Sequence, residues 1–449
     1  MNLANRLGIH LVTNTAFFKI KMIKKINLLI LSLSLAMMAN AQKAFVKQTA
    51  QQFTISGKPY YFIGANYWYG GLLALEKDPV KGKKRLIAEL DFLKSKGINN
   101  LRVLVGAEGE GRINGVDRVK PALQPKHQVF DIKILNSLDF LLMEMAKREM
   151  YAVLYLSNNW EWSGGFLQYL NWNGQIDQET LKRKLTWDEQ RDYTSKFYDC
   201  DPCKTDYKKQ LDFIISHKNS YTGIKYTNET AIMAWELANE PRPMRATAVE
   251  SYKKWISSTT AYIKSIDQNH LVTIGTEGFM GTEENFDLFK EIHRDKNVDY
   301  LTIHIWPKNW GWFKDAPTKE SLPVVIQKTT AYIQQHEAIA KALNKPLVIE
   351  EFGLPRDEHS FDPALSTQLR DEYFGSIFAQ WKTSKKMNGA IAGCNFWAFG
   401  GRSRPVKGQL FWKDGDDFSG DPPQEEQGLN TVFDADVSTW KIIRQFTKK

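Results

Sequence analysis

Two carboxylates in this chain are placed for acid–base work on a substrate. Glu240 closes the run Met233-Ala-Trp-Glu-Leu-Ala-Asn-Glu-Pro-Arg242, and Glu351 closes the run Pro346-Leu-Val-Ile-Glu-Glu-Phe-Gly353. Both runs are apolar, read as buried strands, and end in a turn signal. An acid in such a place is costly unless it is paired, hydrogen-bonded or used. The two lie 111 positions apart, with strand and helix patterns between them. A glycoside hydrolase needs such a set: one carboxylic acid to protonate the leaving oxygen and one carboxylate to attack the sugar. The bland alternative, two structural acids at strand ends, leaves the surrounding aromatic residues unexplained.

The elements that must position these acids alternate. Strand patterns at Tyr60–Asn66, Asn99–Gly106, Tyr151–Ser157, Ala231–Leu237, Leu271–Gly275, Tyr300–Ile305, Leu347–Glu351 and Gly389–Trp397 are each followed by a helical pattern, the last being Val437–Phe446. Repeated βα units imply a parallel sheet, and eight of them imply a (β/α)₈ TIM barrel of the α/β class. A doubly wound open sheet is the runner-up, but no Gly-rich phosphate fingerprint follows any strand. The segments 159–187 and 400–435 are long loops after strand C-termini, which is the catalytic face of a barrel. No linker or repeat divides the chain, so a single catalytic domain over residues 42–449 is expected.

Counting strands puts Glu240 at the end of the fourth and Glu351 at the end of the seventh. With Asn239-Glu-Pro241 and Glu351-Phe-Gly353, the chain resembles glycoside hydrolase family 5. Gly64-Ala-Asn-Tyr-Trp68, Leu101-Arg-Val103, Leu156-Ser-Asn-Asn-Trp160, His304-Ile-Trp-Pro307, Asn395-Phe-Trp397 and the late stretch Gly420–Asp436 are similar to its β-mannanase branch, over most of residues 60–435. The resemblance implies Glu240 as general acid and then base, with a raised pKa, and Glu351 as an ionised nucleophile. Glu350, on the opposite face of the strand by simple alternation, is the competing choice. The resemblance also implies that Asn239 binds the sugar 2-hydroxyl, that Arg102 pairs with the nucleophile, that His304 bonds near the catalytic pair, and that Trp397 stacks under the sugar. Trp68, Asn159 and Trp306 are further cleft residues by this reading, and Arg242 matches a leaving-side sugar ligand. Many relatives carry Tyr two residues after the His. This chain has Trp306, which leaves the hydroxyl contact to the nucleophile without its usual donor.

The N-terminus reads as a leader. Lys24-Lys25 precedes an almost wholly apolar stretch, Ile26–Met38, and then Ala39-Asn40-Ala41, the pattern of a secretory signal peptide over residues 1–41 whose natural start is Met22. Removing its five basic residues takes the net charge from +9 to +4. No basic run is interleaved with aromatics, so nucleic acid is not an expected partner. The expectation is an exported monomer, periplasmic or extracellular, free of the membrane after cleavage. Its partner would be a mannan-type polysaccharide, and it would need no metal or organic cofactor. Cys200 and Cys203 could close a local disulfide, and Cys394 reads as a buried apolar residue. The expected activity is endo-β-1,4-mannanase, with retention. The alternatives are an exo-acting or cellulase-like member of the same family, and a non-catalytic carbohydrate-binding barrel.

Overall fold

The computed structural model describes residues 44–75, 78–314 and 316–448; the expected leader lies outside them. Eight parallel strands form the centre: β1 (Phe62–Asn66), β2 (Asn100–Leu104), β3 (Tyr151–Tyr155), β4 (Ile232–Glu236), β5 (Leu271–Thr273), β6 (Leu301–Ile305), β7 (Leu347–Phe352) and β8 (Ile391–Phe396). All of these strand residues are buried except half-buried Tyr151, as parallel strands covered on both faces must be. They pair in the order β5-β4-β3-β2-β1-β8-β7-β6, so the first strand lies beside both the second and the eighth. That is a barrel, and the open wound sheet is ruled out.

Closure between β5 and β6 uses side chains as much as backbone. The Thr273 hydroxyl donates to the Tyr300 carbonyl at 3.0 Å and the Thr302 hydroxyl to the Thr276 carbonyl at 2.9 Å. The Asp299 carboxylate accepts from the Val272 amide at 2.6 Å, while the Asp299 amide donates to the Val272 carbonyl at 2.8 Å.

Eight helices follow the strands: α1 (Pro79–Ser95), α2 (Ile132–Lys147), α3 (Asp201–Ile215), α4 (Val249–Ile266), α5 (Phe286–Arg294), α6 (Leu322–Leu343), α7 (Gln368–Lys386) and α8 (Val437–Thr447). Local chemistry sets several starts. Asp78 accepts from the amides of Val80 and Lys81 with Pro79 in the first turn, and Asn285 caps α5 in the same way.

Two features depart from the sequence reading. An antiparallel meander, Val46–Thr49, Gln52–Ile55 and Lys58–Tyr60, precedes the barrel. It packs Val46, Phe53 and Tyr60 against Phe62, Met233, Tyr300 and Val348 in a small core of its own. The segment 159–187 carries short helices at Gly165–Trp172 and Gln178–Lys182, ahead of a helix at Trp187–Ser195. Cys200 and Cys203 close a disulfide at the start of α3, and Cys394 is a buried free thiol in β8.

Candidate active site

The strand register gathers charged residues at the C-terminal ends. Asn66 of β1 pairs with Arg102 of β2, Tyr155 of β3 with Glu236 of β4, and His304 of β6 with Glu351 of β7. Arg102 is fully buried and uses its whole fork. Its Nε and Nη2 donate to the Glu236 carboxylate at 2.8 and 2.6 Å. Nη1 donates to Glu351 Oε1 and, at 3.1 Å, to Asn66 Oδ1, and Nη2 also reaches Asn239 Oδ1 at 2.7 Å. The Tyr155 ring lies 4.6 Å from the guanidinium. The expected partner of Arg102 was Glu351 alone; its bidentate partner is Glu236, which the sequence reading passed over.

Glu240 stands four residues beyond the end of β4, not on the strand itself. Its φ is +52°, a left-handed conformation that costs a non-glycine residue about 1–2 kcal/mol. Its amide donates to the Gly275 carbonyl at 2.9 Å. Gly275 has φ +85°, and a Cβ there would strike the Ala238 carbonyl and the Glu236 carboxylate, so glycine allows this approach. Glu240 Oε1 is 2.7 Å from His304 Nδ1, and Oε2 accepts the Trp160 indole N–H.

Glu351 accepts from Arg102 on one oxygen and from the Trp306 indole N–H, at 3.2 Å, on the other. Trp306 thus supplies the donor that the missing tyrosine hydroxyl would have given. Gly353 makes room for it, since a Cβ there would sit 2.8 Å from the indole. Carboxylate oxygens of Glu240 and Glu351 and a ring nitrogen of His304 all lie within 4.8 Å of one another. Such a trio could ligate a metal, but each carboxylate already receives N–H donors and Arg102 already supplies a cation. The donor set suits proton handling.

Glu350 is not turned away, as strand alternation predicts. The register of β6 against β7 shifts between Ile303 and His304, which pair with Ile349 and Glu351. The extra residue is Glu350, and this bulge brings its Oε2 to 3.4 Å from His304 Nε2 and 3.6 Å from Arg102 Nε. Four carboxyls therefore surround two cations, and not all of them can ionise together. Burial pushes Glu236 up to about 8 and Glu351 up to about 7, against the pull of Arg102 on both. For His304 burial works downward, but Glu351, Glu240 and Glu350 hold its proton and carry it up to about 10. Burial also opposes ionisation of Glu240, yet the His304 hydrogen bond and charge bring it below the usual carboxylate range. The sequence reading expected Glu240 raised and Glu351 ionised. His304 Nδ1 lies 2.7 Å from Glu240 and 3.5 Å from Glu351, so the three groups hold their protons as one unit.

The remaining expected site residues divide. Asn239 is tied to the cluster at both ends, accepting from Arg102 and donating to Asn158 Oδ1 at 3.1 Å. Asn159 gives its backbone amide to the Asn239 carbonyl, but its side chain meets only Met244 Sδ, at 4.0 Å. Trp397 lies edge-to-face with Trp306, centroids 5.8 Å apart, and its buried indole N–H has no partner. Arg242 is clamped by both oxygens of Glu277 and lies 5.1 Å from the Trp160 ring. Trp68 is not a cleft residue, contrary to expectation. Its N–H donates to the Gly420 carbonyl at 2.9 Å, and its ring is enclosed by Tyr69, Trp162 and Phe418. It is a packing residue under the late loop, held by contacts that sequence position does not reveal. In that loop Glu425 has a buried carboxylate oxygen without a partner. Burial raises its pKa, and the nearby charges of Asp421, Glu351 and Glu240 raise it further. Sequence reading missed it, because an acid in a polar loop gives no signal of its own.

A model of glycoside hydrolase family 5, β-mannosidase-like, matches residues 43–449. The chain belongs to glycoside hydrolase family 5. It is 31% identical over 371 residues to mannan endo-1,4-beta-mannosidase 2 of Arabidopsis thaliana, covering 79% of this chain and 78% of that protein. The solved family 5 mannosidase of Rhizomucor miehei is 31% identical, with a TM-score of 0.80 over 91% of this chain and 98% of that one. The hyperthermostable endo-1,4-beta-D-mannanase of Thermotoga petrophila matches in fold, at 24% identity and a TM-score of 0.64 over 86% of this chain and 99% of that one. This family 5 chain thus carries its Arg102 cluster, His304 and the two carboxylates on the barrel that its sequence motifs imply.

Proposed function

We propose that this protein is an endo-β-1,4-mannanase that hydrolyses mannan, glucomannan or galactomannan by retaining double displacement, with Glu351 as nucleophile and Glu240 as acid and then base. One observation carries the reading: oxygens of the two carboxylates lie within 4.8 Å of each other. Retaining enzymes hold the pair about 5–5.5 Å apart, whereas inverting enzymes need roughly 6.5–9.5 Å to admit a water.

Each step has its proton. In the first, a Glu351 oxygen bonds to the anomeric carbon, the glycosidic C–O bond breaks, and Glu240 gives its proton to the leaving oxygen. Glu240 acquires that proton from His304 along their 2.7 Å hydrogen bond. The positive charge developing on the sugar favours the ionised Glu351, which the Arg102 and Trp306 N–H groups hold in place. In the second step Glu240 takes a proton from water, the water oxygen bonds to the anomeric carbon, and the glycosyl ester to Glu351 breaks. Trp306 and Trp397 offer apolar ring surface to the C–H faces of the sugar, and Asn239 is within the cluster that would meet its 2-hydroxyl.

Export and release from the membrane are part of the proposal and rest on the leader pattern up to Ala41. Among the described residues no helix is long and apolar enough to cross a membrane. Action as a monomer and independence from cofactors complete the reading. Exo action is the second reading; one solved relative, from Rhizomucor miehei, is named a mannosidase and not an endo-mannanase.

The test is a product time course of the purified protein on linear mannan and on carboxymethyl-cellulose, with proton NMR of the first-formed anomer. A ladder of manno-oligosaccharides appearing first as β-anomers is expected. A single short product from the outset would give the exo reading, and cleavage of cellulose with mannan untouched would overturn the substrate.

A further inference from the structure

We propose that Trp187 is the outer sugar platform on the leaving side of the cleft, stacking the pyranose two places beyond the cleaved bond. The inference rests on the mannan-hydrolase reading above, because that reading defines the leaving side as the side of the general acid, Glu240.

Three observations place it. Trp160 donates its indole N–H to Glu240 Oε2, so its ring adjoins the group that meets the leaving oxygen. Trp187 follows Trp160 outward, with ring centroids 6.2 Å apart and planes 30° apart. Trp187 is 50% exposed, an open indole one ring removed from Glu240. The C–H face of a sugar is the chemistry that an open indole suits.

The platform is also held in register with Glu240. Trp187 begins the Trp187–Ser195 helix, fixed by a capping box in which Thr186 and Glu189 satisfy each other's backbone. Arg245 reaches back to that helix, to Asp188 at 3.0 Å and Asp192 at 2.8 Å, and Arg191 of the helix donates to the Met244 carbonyl at 2.7 Å. Met244 and Arg245 lie on the turn that follows Glu240. The helix that presents Trp187 is therefore bolted to the segment that presents the acid, and a chain lying across Trp160 and Trp187 is aligned with the bond to be cut.

The test compares substrates that do and do not reach the platform. Mannohexaose offers sugars on both sides of the cut, whereas an aryl β-mannobioside has only a phenol to leave. For Trp187→Ala, the ratio of kcat/KM on mannohexaose to that on the aryl substrate should fall about five- to tenfold, the worth of one aromatic stack. Trp187→Phe should restore most of that ratio. Hydrolysis of mannotetraose in ¹⁸O-water should shift from the central bond toward the bond nearest the reducing end. An unchanged ratio, or a Phe variant no better than Ala, would overturn the platform. Failure of the wild type on every mannoside, the aryl substrate included, would instead overturn the reading of the reaction beneath it.

Discussion

The two sides of the cleft are built differently. On the nucleophile side, Arg102, Glu236, Glu350 and Glu351 come from strands, are 0–2% exposed, and are cross-linked by a guanidinium that makes five hydrogen bonds. On the leaving side, Trp160, Trp187 and Arg242 come from loops or a loop-borne helix, and all three retain exposure. Chemistry needs fixed geometry, which strands supply, while recognition of a variable polymer tolerates loops. The same fold serves both demands by assigning them to different parts of the chain.

That contrast can be broken most sharply at Glu351. Glu351→Gln should lower kcat by on the order of 10⁴, whereas Glu350→Gln, a change to the adjacent residue, should cost about a hundredfold at most. Azide should rescue Glu351→Ala as a glycosyl azide of inverted anomeric configuration and leave Glu350→Ala unaided. Rescue of the latter would exchange their roles.

Next in size is stability. Arg102→Met strands several carboxyls in a closed interior and should cost about 3–5 kcal/mol in urea denaturation. Arg242→Met, at a site with some access to water, should cost about 1–3 kcal/mol. Equal losses would mean that the two sides are equally built into the fold.

Smaller effects follow at Trp306 and His304. Trp306→Phe keeps the ring and loses the N–H to Glu351, and should reduce kcat about tenfold with KM little changed; a loss carried by KM would make Trp306 a binding residue only. For His304 the sign follows from its upward shift from an ordinary 6.5 to about 10. The folded state holds the proton more tightly, so this contribution to stability is complete below about 6.5 and lost as pH rises through about 10. Glu351, raised to about 7, acts in the same direction at lower pH. Melting temperature should therefore fall from neutral to alkaline pH, and His304→Gln should flatten the upper part of that fall.

The barrel itself was legible in the sequence, because parallel strands buried on both faces read as apolar runs and the helices carry their own caps. Glu240 and Glu351 were legible as acids at the ends of apolar runs, and Arg102, Asn239 and His304 joined them through the resemblance to glycoside hydrolase family 5. What failed was what depends on partners far away in sequence. Glu236 was hidden inside an apolar run, and only the arrival of Arg102 from β2 explains it. Glu350 was assigned outward by alternation, and a one-residue bulge against β6 reversed it. The sharing of protons among Glu240, Glu351 and His304 depends on contacts of 2.7 and 3.5 Å, which no motif encodes. Trp68 looked like its neighbours in type and position, yet a single carbonyl at Gly420 claims its N–H.

The join between β5 and β6 gives the cylinder a weak stave. Elsewhere a strand would have to shed a continuous ladder to part from its neighbour; here a few hydroxyls and one aspartate carry much of the load. The stave borders His304, whose amide bonds to the Glu277 carbonyl across the join, while Glu240 hangs from Gly275 on the β5 side. The proton partner and the acid thus stand on opposite banks of the one join among the described strands that has no ladder, so their alignment depends on that join.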